Sequence, residues 1–360
     1  MHELRVGEMA NLHEIPQYPY YGSVDSTPWF LMLLGEYVHW TGDLDTFSHL
    51  RDTVERALGW AERNTSKGIP GYLDYGTLSH KGLTNQGWKD SDNGIVNADG
   101  SICSAPIALV EVQGYLYSAK LLIAELYRLT GDGDRAQELE QQAADLKQHF
   151  NKKYWAPDSD FYALCIEQGN RLATSITSNP GQTLFTGIAD GDKAGKVVQR
   201  LMAEDMFNGW GIRTLSSASP AYNPLDYQVG AVWPHDNALI ARGMHRYGYT
   251  AEASRVFTGI FQAATHFQHD RLPEVFDGFG KDEYPRPVHY PVACSPQAWA
   301  AGALPLMLHT ALGLEPDACH QTLRIRRPAL PEWLDWVTLA GLHIGAATAD
   351  LRFERHDGAT

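Results

Sequence analysis

Two helical patterns in this chain stop on the same tripeptide, Thr41-Gly42-Asp43 and Thr130-Gly131-Asp132. Glycine can end a helix in the left-handed conformation, and the Asp that follows can cap the next helix. The chain therefore reverses within about three residues at each site, as a helical hairpin does. Thr27 to Trp40 reads as the first helix, with Pro28 in its first turn and an apolar run from Trp29 to Leu34. Its partner, Leu44 to about Asn64, is amphipathic, with Phe47, Leu50, Val54, Leu58 and Ala61 at helical spacing. Ala105 to Leu129 and a charged helix running to about Tyr154 repeat the unit.

Weaker helices follow at Thr183–Ala189 and Asp192–Ala203, then Pro234–Tyr247 with Ala251–Phe267, and finally Pro296–Leu312. Between the pairs lie long aperiodic segments: 1–26, 66–104, 155–181, 204–232 and 268–294, the third with a short strand pair near Phe161–Ile166. Because each hairpin reverses direction, short turns belong at one end and long loops at the other. Loops of that length in a compact domain usually carry function. Wide-faced apolar helices alternating with amphipathic ones predict an inner and an outer ring, an all-α (α/α) toroid over 1–320. From about 321 the pattern changes to short alternating strands, Leu323–Arg326, Val337–Leu339, Leu342–Ile344 and Ala349–Phe353, a small β appendage over 321–360.

Composition narrows the function. A hydrophobic share of 44% with 20% charged residues is that of a globular protein. A net charge of -14 argues against nucleic acid or an anionic membrane as partner. Four cysteines lie far apart without a CxxC, there is no apolar leader or span, and a reduced, cytoplasmic setting is expected. His2-Glu3 and His13-Glu14 lack the second His of a zinc motif. No phosphate-binding glycine loop occurs, so neither metal nor cofactor is implied.

The polar and aromatic clusters sit in the long loops. Asn85 to Gly94 holds Trp88, Lys89, Asp90 and Asp92, and Tyr20–Ser26 brings Asp25 to the first helix, as cap or ligand contact. Segment 204–232 carries Arg213 and leads into Trp233-Pro234-His235, and 268–294 carries Glu274 and Asp277. Two carboxylates on separate loops, with aromatics between them, match what glycoside hydrolysis needs: one protonated to release the leaving oxygen, the other ionised. Asp90 and Glu274 are the best-placed pair, with Asp92, Asp277 and Glu283 in competition.

Asn85-Gln-Gly-Trp-Lys-Asp-Ser, Tyr222-Asn-Pro…Gly230-Ala-Val-Trp-Pro-His-Asp-Asn and Leu272-Pro-Glu-Val-Phe…Pro291-Val-Ala-Cys-Ser-Pro-Gln-Ala-Trp resemble, in order, the six-hairpin glycosidases. The nearest resemblance is to bacterial amylo-α-1,6-glucosidase (the C-terminal part of glycogen-debranching enzymes), with glucoamylases and mannosylglycerate hydrolase-like enzymes as related sets. The resemblance runs from His2 to about Phe353. It implies an (α/α)6 barrel and hydrolysis of an oligosaccharide or α-glucan with inversion, Asp90 as general acid and Glu274 as general base. It further implies sugar contacts from Trp88, Lys89, Arg213, Trp233, His235 and Gln297, beside Asp25 from the first loop. Such relatives carry an aromatic-Gly-Arg-Asp loop upstream, which is absent here, so the expectation is a barrel lacking its first helices and an upstream domain. Two alternatives stand beside hydrolysis: a sugar epimerase using His235 as base, and a carbohydrate-binding fragment without turnover.

Overall fold

The computed structural model describes residues 4–15, 19–65, 68–77 and 82–356, so His2 and Glu3 lie outside it. Ten α-helices run through the described residues: α1 Glu8–Asn11, α2 Ser26–Thr41, α3 Leu44–Asn64, α4 Val110–Leu129, α5 Gly133–Lys153, α6 Asn179–Thr186, α7 Gly191–Leu201, α8 Pro234–Arg246, α9 Thr250–Ala264 and α10 Ala298–Leu312. The Thr-Gly-Asp stops act as expected. Gly42 closes α2 at φ 69°, and Asp43 accepts the Thr46 amide at 2.9 Å to open α3. Asp132 does the same for α5 through the Arg135 amide.

α2 packs on α4, α4 on α6, α6 on α8 and α8 on α10, so five helices follow one another side by side. Two of them, α4 and α8, are buried on nearly every face. Their partners bury one stripe each. On α5 this is Ala136, Leu139, Ala143, Leu146 and Phe150, where each large side chain contributes about 2 kcal/mol. The short turns 42–43, 130–132, 187–190 and 247–249 all follow the C-terminal ends of helices in this row, whose N-termini receive the long loops.

Three helix starts differ from the sequence pattern. α4 begins at Val110 rather than Ala105, because 105–109 is drawn into β pairing: Ile107 bridges Tyr75, and Ala108–Leu109 pairs with Cys165–Ile166. α6 begins at Asn179, four residues early, since Pro180 falls in the first turn, where its missing N–H costs nothing. α10 begins at Ala298, after Gln297 has turned back to cap it. The four-residue α1 carried no periodic signal. Cys103 and Cys165, remote in sequence, lie 3.9 Å apart in the core.

The β tail starts earlier than 321. Leu314–Asp317 leaves α10 directly and pairs with Thr322–Ile325, and Trp336–Ile344 pairs with Ala347–Glu354 across a bulge. Leu314 and Leu330 pack with Leu312 and Trp40, which closes the tail onto the C-terminal ends of α10 and α2. None of the described helices is long and apolar enough to cross a membrane.

Candidate active site

The long loops knit into one surface over the helix N-termini. Backbone bridges tie Arg213 to Val232, Val232 to Phe276 and Phe276 to His289. The 85–94 loop is held from several sides. Asn85 accepts from the Tyr75 hydroxyl at 2.7 Å and donates to the Ser91 carbonyl at 2.7 Å. Gln228 accepts the Ser91 amide at 2.9 Å and donates to the Trp88 carbonyl at 3.1 Å. It also donates to Asp90 Oδ1 at 3.2 Å.

The neighbouring residue holds the second carboxylate. Tyr227 OH donates to Glu274 Oε1 at 2.8 Å, Gln297 Nε2 to the same oxygen at 3.1 Å, and the Cys294 amide to Oε2 at 3.1 Å. All three bonds run toward Glu274, which is nearly buried. Burial and the negative charges of Glu274 and Asp90 together push the Tyr227 hydroxyl well above its ordinary pKa, which keeps it a donor. Asp90 and Glu274 are thus held by consecutive residues.

Asp90 opens onto a cavity of about 540 Å³ between α2, α4, α8 and α10. Trp29, Trp88, Tyr115 and Trp299 give it aromatic walls, and Asp25 faces it from the start of α2. His235 stacks flat on Trp299, centroids 4.0 Å apart and planes at 3°. Burial lowers the His235 pKa to about 3, so its ring is neutral. Trp88 meets Trp233 edge-on at 5.6 Å, and Trp233 Nε1 donates to the Tyr227 carbonyl at 2.7 Å.

Of the residues expected to touch sugar, Asp25, Trp88 and His235 line this cavity. Lys89, Arg213, Trp233 and Gln297 do not. Lys89 is buried and donates to the Thr214 carbonyl at 2.8 Å. Arg213 is spent on the carbonyls of Gly278 at 2.7 Å and Glu204 at 3.0 Å. Gln297 divides itself between Glu274 and the α10 amide of Ala298. Asp277 is taken up by the amides of Phe279 and Val288. Tyr227, Gln228, Trp29, Tyr115 and Trp299 are not among the site residues expected from sequence. Tyr227 and Gln228 lie between Asn223-Pro224 and Gly230 of the second motif, and Trp299 closes the third.

Beneath the loop, the charges of acids on two helices act on Lys89. Glu111 of α4 accepts from Asn179 Nδ2 at 2.9 Å, and Asp236 of α8 accepts from Gln182. Burial pushes Lys89 down to about 8 and Glu111 up to about 7, each countered by the other's charge. Asp236 is also raised by burial. Among the described residues no cluster of His, Cys, Asp and Glu has the makings of a metal site.

The helical hairpins with their long loops at the N-terminal ends fit the class to which the family model points: the chain is related to the six-hairpin glycosidases. Within that class it belongs to the mannosylglycerate hydrolase MGH1-like glycoside hydrolase domain family, whose model matches residues 32–282. Over 75 residues it is 36% identical to mannosylglycerate hydrolases MGH1 and MGH2 of Selaginella moellendorffii, a match covering 20% of this chain and 15% of each relative. Its fold is similar to that of a protein described as a sialidase, with a TM-score of 0.69 at 16% identity, over 91% of this chain and 30% of that one. A mannosylglycerate hydrolase from Thermus thermophilus, in complex with glucose, matches 56% of this chain and 45% of its own at a TM-score of 0.46 and 21% identity.

Proposed function

We propose that the chain forms the catalytic part of an (α/α)6 toroid that hydrolyses an α-glucosidic bond with inversion, of the kind seen at the branch stubs of an α-glucan or in a small α-glucoside. Asp90 is the general acid. It gives its proton to the glycosidic oxygen as the bond to the anomeric carbon breaks. Glu274 is the general base and takes a proton from the water that attacks the opposite face. The observation that carries the reading is the pair of adjacent side chains, Tyr227 on Glu274 and Gln228 on Asp90, which fixes both carboxylates from one short segment. The cavity beside Asp90 suits a sugar ring, whose apolar face stacks on aromatic walls. The side-by-side succession of α2, α4, α6, α8 and α10 supports the toroid.

Epimerisation through His235 is less well supported. A ring buried and held neutral with a pKa of about 3 is a poor proton acceptor at physiological pH. The experiment is to follow by NMR the anomer first released from a panel of α-glucosides, with Asp90→Asn and Glu274→Gln as controls. Release of the β-anomer, lost in both variants, is expected. Release of the α-anomer overturns inversion, and full activity in Glu274→Gln overturns its role as base.

A further inference from the structure

Two of the four cysteines meet inside the protein. Cys165 lies on the strand Cys165–Glu167, between Leu109 on one side and Ala173 on the other. Cys103 comes at the end of the long 66–104 segment, where its amide donates to the Ile95 carbonyl at 3.0 Å. The next residue fixes the two stretches against each other. The Ser104 amide donates to Glu167 Oε2 at 2.7 Å, and the Gln168 amide donates to the Ser104 carbonyl at 3.0 Å. The sulfurs are 3.9 Å apart, with the Cys165 thiol donating to Cys103. A disulfide needs them at about 2 Å, a distance that rotation of the two side chains can close while those backbone bonds stay made.

The two thiols are not equivalent. The hydrogen bond to Cys103 and complete burial push the Cys165 thiol well above its ordinary range, so it keeps its proton. Cys103 is buried as well, but Ile102 and Ser104 on either side of it are exposed. Its sulfur lies just beneath the surface and is the first that a small oxidant meets.

We propose that Cys103 and Cys165 are a redox modification site that takes a peroxide, and that the disulfide they form fastens the segment carrying Asp90 to the strand at Cys165. The chemistry runs in two steps. The Cys103 sulfur attacks one peroxide oxygen, the O–O bond breaks, and the other oxygen leaves as water with the Cys103 thiol proton. The Cys165 sulfur then attacks the sulfenic sulfur of Cys103, the S–O bond breaks, and the hydroxyl leaves as water with the Cys165 proton. The two thiols lose two electrons and the peroxide becomes two waters. A dithiol reverses the step by exchange. Val96 bridges Ile102, so the cross-link also reaches the hairpin that follows the Asp90 loop. The bond joins positions 62 residues apart and so restricts the unfolded chain far more than the folded one. The proposal does not depend on the hydrolase reading.

The test exposes the folded protein to hydrogen peroxide, unfolds it in an alkylating agent and maps its peptides by mass spectrometry. A peptide cross-linked through Cys103 and Cys165 is expected, with Cys294 and Cys319 alkylated and all four cysteines recovered after dithiothreitol. The melting temperature should rise by about 5 °C on oxidation and return with the dithiol. Dimedone, which traps a sulfenic acid, should label Cys103 in Cys165→Ser about tenfold more than it labels Cys165 in Cys103→Ser. The peptide map and the melting curve use the unmodified chain, so they decide the matter whether or not either variant folds. Four alkylatable thiols after peroxide, a cross-link through Cys294 or Cys319 instead, or a melting temperature unmoved by the cross-link overturns the proposal. Equal dimedone labelling in the two variants overturns the assignment of Cys103 as the thiol attacked first.

Discussion

Tyr227 and Gln228 are consecutive in the chain, and their side chains end on different candidate catalytic carboxylates, Glu274 at 2.8 Å and Asp90 at 3.2 Å. One peptide unit thus sets the relation between two groups that lie on loops far apart in sequence. Gln228 also grips the backbone of the acid's loop at Trp88 and Ser91. Small displacements of either carboxylate should be costly, because proton transfer to and from the sugar depends on position to within about 1 Å.

Gln228→Leu should therefore lower kcat by about a hundredfold with little change in KM, since it frees Asp90 and its loop while leaving the aromatic cavity in place. Tyr227→Phe, which removes one of three donors to Glu274, should lower kcat by about tenfold. Steady-state kinetics on a chromogenic α-glucoside measures both. Values within twofold of the unmodified protein would remove the pair from the mechanism.

Lys89 offers a contrast between stability and catalysis. Its ammonium is buried on the Thr214 carbonyl and feels the charges of Asp236 and Glu111, so Lys89→Met removes a hydrogen bond and the counter-charge of two buried acids. Leaving that buried carbonyl without its donor costs about 1–3 kcal/mol, to which the missing counter-charge adds. The cost should shrink as pH falls through about 7, where Glu111 takes up a proton and no longer needs the cation. Denaturant unfolding at pH 8 and pH 5.5 reads this directly. An equal loss at both pH values would mean that packing, not charge, is what Lys89 supplies.

The helical hairpins were legible in the sequence because their signals are local. Gly42 and Gly131 end helices, Asp43 and Asp132 cap the next ones, and apolar periodicity marks the faces. What local pattern could not supply was competition from distant strands. Residues 105–109 have an apolar helical reading until Tyr75 and Cys165–Ile166 claim them for β pairing. The site divides the same way. Asp90 and Glu274 stood out as residue types in long loops, but Lys89 and Arg213 are equally conspicuous and are used internally, to hold loop carbonyls. A charged side chain in a loop reads alike whether it faces the cavity or the loop's own backbone. Trp299 closes the third motif, but which way it faces in an Ala- and Leu-rich helix only the fold determines.

His309 should make the fold sensitive to acid. It accepts a hydrogen bond from Arg242 at 2.7 Å through Nδ1, and its Nε2–H donates to the Leu314 carbonyl at 2.8 Å. That pairing requires the neutral ring and joins α8, α10 and the start of the β tail. Burial and the Arg242 charge lower its pKa to about 4. In the unfolded chain His309 takes a proton near pH 6.5, whereas in the folded one it resists until about pH 4, so the unfolded state binds more protons between these values. Stability from this group is complete above pH 6.5 and is lost as pH falls, by up to about 1 kcal/mol per pH unit. His309→Gln should flatten that slope in unfolding curves taken from pH 7 to 4.5, and an unchanged slope would assign the acid sensitivity elsewhere.

Trp299 tests whether the cavity beside Asp90 binds the sugar. Its indole lies flat against His235 and forms part of the wall, with 38% of its surface exposed. Trp299→Ala removes an aromatic face without touching either carboxylate or the residues hydrogen-bonded to them. A stacked aromatic contact is worth about 0.5–1.5 kcal/mol, so KM should rise by roughly three- to tenfold while kcat changes little. Trp299→Phe keeps a face of smaller area and should recover most of the loss. If instead kcat falls and KM is unchanged, the indole acts on the reacting groups through His235 and Trp233, and the sugar is bound elsewhere on the loops.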